Sequence, residues 1–208
     1  MKLIYGISQR FVWMATFIVT RLFTNFYVKG RNNLKSIETP MLIVANHRSY
    51  LDSMIIGTLF PFFSKYIPMG FMATDKLYQK IFYKIFFILT GTFPAYRGEG
   101  LDISLRYPRS VLRENGVFLI FPFGKLIFDN QYPKPGRGAA KLVQDFPNLI
   151  ILPIYLNTTP NLGVKDFLFR KKDMGVVIGK SFGVTNAQSM DIDQISKIIS
   201  DKILSLGR

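Results

Sequence analysis

Short apolar blocks separated by polar breaks set the rhythm of this chain. Met41 to Ala45 (MLIVA), Val117 to Phe121 (VFLIF) and Ile150 to Tyr155 are nearly unbroken apolar runs of strand length. Runs of that length, rich in β-branched and aromatic residues, read as strands buried on both faces. Phe71 to Met72, Phe93 to Tyr96 and Val176 to Ile178 read as shorter strands. Between them, Ser53 to Phe63, Ile103 to Arg113 and Gly138 to Gln144 read as helices. Leu77 to Leu89 (LYQKIFYKIFFIL) is apolar on nearly every side, which predicts a helix facing either core or lipid. The last segment, Ile192 to Leu206, places Ile192, Ile195, Ile198, Ile199 and Ile203 on one stripe, with Asp191 or Asp193 in position to cap it. Strands alternating with helices predict an α/β fold: a mostly parallel central sheet flanked by helices.

The N-terminus departs from this rhythm. Phe11 to Val28 (FVWMATFIVTRLFTNFYV) is apolar, with Arg10 before it and Arg21 inside it. A spanning helix needs about 20 apolar residues, and the uncharged stretch from Phe11 to Thr20 is too short. No small-residue cleavage site follows, so a signal peptide is not expected. Two readings remain open: an amphipathic helix lying in a membrane interface, and a first helix packed on the domain. Both hold if one face packs and the other meets lipid. The division expected is an N-terminal helical segment over 1–28 and one domain over 29–208.

Composition narrows the partners. Lys+Arg number 27 against 13 Asp+Glu, a net charge of +14 that calls for an anionic partner: nucleic acid, lipid headgroups or a phosphorylated substrate. A nucleic-acid groove would cluster its cations with aromatics. Here they are spread along the chain, and the one short cluster, Arg170 to Lys172, reads as a solvated face. There is no cysteine, which removes disulfides, thiolate metal sites and a Cys nucleophile. The 20 phenylalanines suit a core, an acyl-chain tunnel or a lipid-facing surface.

His47 is the single histidine, and it follows the predicted MLIVA strand almost directly. The carboxyl end of a strand is where α/β folds build their sites. Asp52 lies five residues on. If the strand turns into a helix here, the carboxylate accepts one imidazole N–H, fixes the tautomer and leaves the other nitrogen as a general base. No nucleophile completes a triad. Gly179-Lys180-Ser181-Phe182-Gly183 matches a G-x-S-x-G elbow, but the loop-like Val184-Thr185-Asn186 follows where a helix must open. The same stretch fails as a phosphate loop, because Met174 stands where that loop needs its first glycine.

Asn46-His47-Arg48-Ser49-Tyr50-Leu51-Asp52 resembles the N-H-x4-D block of the glycerolipid acyltransferases, the lysophosphatidate acyltransferase family. Further pieces follow in family order: Gly91 to Arg97, whose last residue matches a phosphate-binding Arg; Phe121-Pro122-Phe123-Gly124, similar to F-P-E-G; Lys134-Pro135-Gly136; and Leu152-Pro153-Ile154. The resemblance implies an acyltransferase that takes a fatty acyl group from acyl-CoA or acyl-carrier protein, its co-substrate in place of any cofactor. His47 is then the base and Asp52 its orienter. It implies substrate contacts from Asn46, Arg97, Phe121, Pro122, Phe123, Gly124 and Lys125, with no metal. The expected setting is the cytoplasmic face of a membrane, with membrane lipids and the acyl donor as partners and no nucleic acid. The third block departs from the pattern: Phe123 stands for the family Glu, and Lys125 and Leu126 for the Thr and Arg that usually follow. Such changes imply a different acceptor, a weak enzyme or a non-catalytic lipid-binding protein on the same fold.

Overall fold

A computed structural model describes residues 2–74, 78, 79, 81–96, 98–129, 131–158 and 172–208. The chain opens with a long helix, α1 (Lys2–Phe23), which runs directly into strand β1 (Thr24–Lys29). There follow β2 (Met41–Ala45), α2 (Asp52–Gly57), β3 (Met69–Thr74), α3 (Ile81–Leu89), β4 (Thr92–Ala95), α4 (Leu101–Ser104), α5 (Arg106–Arg113) and β5 (Val117–Ile120). The remaining elements are α6 (Gly138–Asp145), β6 (Ile150–Asn157), β7 (Lys172–Ile178) and α7 (Ile192–Ser205). The strands form one sheet in the order β1-β7-β6-β2-β5-β3-β4. Only β6 and β7 pair antiparallel; every other neighbour is parallel. The expected α/β architecture, with helices on a mostly parallel sheet, is therefore the fold of the protein.

β2 sits at the centre, and all five of its residues are buried. Alternation sends Met41, Ile43 and Ala45 to one face, where they pack with Ile55, Ile56 and Trp13. Leu42 and Val44 go to the other face, against Leu112, Leu142, Ile195 and Ile199. The sheet is thus covered on both sides, which is why its strands read as continuous apolar runs.

Three expectations need correcting. The apolar run to Val28 is not one helix: α1 stops at Phe23, and Thr24 begins an edge strand paired with β7. The change from a helical to a two-residue period is hidden because both segments are apolar. The helix expected to reach Phe63 ends at Gly57, since Pro61 and the turns before it break the ladder. Ile103 to Arg113 divides into α4 and α5. Leu77 and residue 80 lie outside the described residues, and the helix expected there is seen over Ile81–Leu89. Of the two candidate caps for the last helix, Asp191 serves, accepting from the N–H groups of Asp193 and Gln194.

α1 is held to the domain by unusual means. Gln9 is fully buried and bridges backbone: its amide donates to the carbonyls of Met69 and Thr90, both at 2.6 Å, and its oxygen accepts from Met69 N–H at 2.9 Å. One turn on, Trp13 lies over Gly57, so close that a Cβ there would fall 2.3–2.6 Å from the indole. The outward face carries Ile7, Phe11, Met14, Ile18 and Leu22, all exposed. Among the described residues no helix is long and apolar enough to cross a membrane.

Gly57→Ala therefore forces the indole off α2. Its helix-propensity gain of up to about 1 kcal/mol is smaller than an overpacking cost of about 1–3 kcal/mol. Urea unfolding followed by far-ultraviolet circular dichroism is expected to show a net loss of stability.

Candidate active site

The candidate site is built where β2 ends, between the exits of β5 and β6. Ala45 is paired with Ile154 of β6, and Val44 with Ile120 of β5, so residues 46 and 47 emerge between the two neighbouring strands. Asn46 is buried, and both its polar atoms go to Leu156: its amide donates to the carbonyl at 2.9 Å, and its oxygen accepts the N–H at 2.7 Å. A side chain so engaged copies a strand partner and locks the exit of β2 to β6. Asn46 was expected among the substrate contacts; in the structure its side-chain amide and carbonyl both form this clamp.

His47 Nδ1 lies 2.9 Å from Asp52 Oδ2. The imidazole is 21% exposed, and the carboxylate is 0% exposed. The same Oδ2 accepts the backbone N–H of Arg48 at 2.6 Å and of Ser49 at 2.9 Å. Asp52 Oδ1 is buried with no hydrogen-bond partner among the described residues. With Nδ1 committed to a carboxylate that only accepts, the neutral ring carries its proton on Nδ1 and presents Nε2 as the basic nitrogen. The turn between strand and helix that brings the two side chains together is the one that the spacing required.

The third block reaches the histidine from the other side. Phe121 stacks on the imidazole, ring centroids 4.1 Å apart and planes at 11°. Ile127 N–H donates to the His47 carbonyl at 2.7 Å. Pro122 is buried, and its carbonyl accepts Gly136 N–H at 2.8 Å, joining this block to the Lys134-Pro135-Gly136 segment. Gly124 turns the chain at φ +67°, a conformation that favours glycine. Phe123 points the opposite way from its neighbour: it is buried in the core, its ring 5.0 Å from that of Tyr132. Lys125 is exposed and lines a pocket of about 370 Å³ with Leu126, Phe128 and Tyr132. Arg97, and residues 170 and 171 of the basic cluster, lie outside the described residues. Lys134 pairs with Asp193 at 3.0 Å beside a two-bond contact from Arg137, and these cations hold the Asp193 carboxyl well below the usual range, Arg137 most.

Two features escaped the sequence reading. Arg48 is buried and donates from Nε to the Thr158 carbonyl at 3.0 Å. Next to it, burial pushes the Tyr155 phenol up to about 12, reinforced by a hydrogen bond with Tyr132. The other is the Phe121–His47 stack, for which the only signal was that both residues leave adjacent strands. Nothing after Ser181 resembles an elbow: Phe182 makes a single bridge to Ile151, and no α-helix opens before Ile192.

The family profile described as Acyltransferase matches residues 25–157, well over half of the chain. The chain belongs to the acyltransferase family. Among its relatives is the 1-acyl-sn-glycerol-3-phosphate acyltransferase of Saccharomyces cerevisiae, 25% identical over 184 residues, which are 85% of this chain and 58% of the relative. Another is the Mycoplasma genitalium protein named "Probable 1-acyl-sn-glycerol-3-phosphate acyltransferase", 25% identical over 164 residues, 76% of this chain and 60% of that one. The chain thus spans about three fifths of the length of these relatives. The crystal structure of the 1-acyl-sn-glycerophosphate (LPA) acyltransferase PlsC from Thermotoga maritima shares the fold, with a TM-score of 0.67, 15% identity, and coverage of 98% of this chain and 79% of that one.

The burial of Phe123 yields a prediction. Phe123→Glu removes a core aromatic and places a carboxylate against Tyr132, which is expected to cost on the order of 3–5 kcal/mol. Thermal unfolding of the variant checks it, and a melting temperature equal to that of wild type would show that the side chain faces solvent.

Proposed function

We propose that the protein transfers a fatty acyl group from the thioester of acyl-CoA or acyl-carrier protein to the hydroxyl of a lysophospholipid-like acceptor, at a membrane surface. The observation that carries this reading is the His47–Asp52 pair, with Nδ1 bound and Nε2 left as base. Nε2 takes the acceptor hydroxyl proton as the oxygen attacks the thioester carbonyl. The new C–O bond forms, the C–S bond breaks, and the leaving thiolate recovers the proton from the imidazolium. Asp52 keeps the tautomer and stabilises the imidazolium while it exists. No acyl-enzyme is needed in this scheme. Lysophosphatidate is the first acceptor to test, since one relative is named 1-acyl-sn-glycerol-3-phosphate acyltransferase and the other carries that name as "Probable". Arg97 is assigned to its phosphate on the strength of the motif alone.

The membrane side of the proposal rests on the outward face of α1. Ile7, Phe11, Met14, Ile18 and Leu22 repeat at helical spacing on a face that points away from the core. Ile81, Ile85 and Ile88 of α3, which packs beside α1, are exposed too. The turn after α2 adds Phe62 and Phe63, the latter 89% exposed, and Arg10 Nε ties that turn to α1 through the Phe62 carbonyl at 2.8 Å. A contiguous apolar surface with cations beside it fits an anionic bilayer interface.

His47→Ala is expected to lower turnover by about a hundredfold or more, because no other imidazole exists in the chain. Asp52→Asn is expected to be slow as well, through loss of tautomer control. Product formation from oleoyl-CoA and lysophosphatidate, read by mass spectrometry, measures both, and near wild-type turnover in His47→Ala would remove the base mechanism. For the membrane, deleting α1 would also take Trp13 and Gln9 from the interior, so surface substitutions are the sharper test. Phe11→Ser with Phe63→Ser is expected to weaken co-sedimentation with phosphatidylglycerol vesicles by on the order of tenfold or more. Unchanged binding would move the lipid contact elsewhere.

A further inference from the structure

We propose that Phe121 is a positioning residue for the base, holding the His47 imidazole in its working plane and favouring the protonated ring that exists only during transfer. The inference rests on the proposed role of His47. Its basis is the stack itself, 4.1 Å between centroids at 11°. Asp52 limits the ring's rotation through one nitrogen, and the Ile127 N–H fixes the His47 carbonyl, but neither touches a ring face, so neither excludes small rocking of its plane. A flat ring against one imidazole face does. The platform is itself anchored. The Phe121 carbonyl accepts Gly124 N–H at 3.0 Å, the next carbonyl is held by Gly136, and the alignment of β2 with β5 sets residue 121 beside the exit of β2.

The stack also has an electrostatic consequence. The negative face of an aromatic ring attracts a cation far more than a neutral heterocycle. When the imidazole takes the acceptor's proton it becomes a cation against that face. Stabilisation that grows on the way to the transition state raises turnover rather than substrate affinity. In this block, Phe121 therefore faces the chemistry while Phe123 faces the core.

The test uses the full chain on lipid vesicles with oleoyl-CoA and lysophosphatidate, comparing Phe121→Leu with Phe121→Tyr. The leucine variant is expected to lose about three- to tenfold in kcat, with KM within about twofold of wild type. Phe121→Tyr, which restores an aromatic face, recovers most of that loss. Because His47 is the single histidine, its ring protons give one set of NMR signals. Those signals move downfield in Phe121→Leu, where the shielding ring is gone, and stay close to their place in Phe121→Tyr. If the leucine variant melts well below wild type, Phe121→Met supplies a ring-free side chain of closer volume. Wild-type kcat in the ring-free variant, a tyrosine variant as slow as it, or unmoved imidazole signals would overturn the proposal. Turnover kept by His47→Ala overturns the base assignment beneath it. Turnover lost in that variant but kept in Phe121→Leu overturns the positioning role alone.

Discussion

Asp52 Oδ2 gathers three donors: the His47 imidazole and the N–H groups of Arg48 and Ser49. That single oxygen closes the turn between the central strand and α2, and it sets the ring orientation that the proposed chemistry needs. Hydrogen bonds to a carboxylate in a buried setting are short and strong, and the partner left behind when one is removed is costly. The rest of the site is arranged so that this contact persists. Asn46 clamps the strand exit to β6 on one side, and the third block closes over the histidine on the other. Trp13 meanwhile lies on the far end of the same short helix that Asp52 begins.

The centre of the fold was legible because its physics is local. MLIVA, VFLIF and the run after Ile150 are long enough and apolar enough to be buried strands, and they supply β2, β5 as far as Ile120, and β6. The His47–Asp52 contact was legible for the same reason: strand, short turn and helix start are all encoded within a dozen residues. What lay beyond reading was decided by partners far away in the chain. Nothing local says that Gln9 enters the interior to satisfy carbonyls at 69 and 90, or that the segment after Phe23 finds β7 as its neighbour.

α1 was left with two readings, an interfacial helix and a helix packed on the domain, and it packs through one side while apolar residues line the other. Its apolar residues do recur at helical spacing, and in a soluble domain such a stripe faces the core. Here the stripe faces outward, and polar Gln9 and Thr20 are among the residues buried beneath it. The block from Phe121 to Gly124 gives a parallel lesson. Its departure from the family pattern looks like a change of pocket when read as a motif. In three dimensions Phe123 belongs to the packing between the sheet and Tyr132, and only Phe121 reaches the histidine.

Trp13 is the chain's one tryptophan, and it is buried at the junction of α1 with α2. Under excitation at the red edge, where the tyrosines do not absorb, the emission therefore originates at a single place, where the helix carrying the outward apolar stripe meets the helix that begins with Asp52. A change in emission wavelength or quenching on adding vesicles or acyl donor would report this joint and no other part of the molecule. The protein carries its own optical gauge of whether events at the lipid-facing helix are felt beside the carboxylate that holds the histidine.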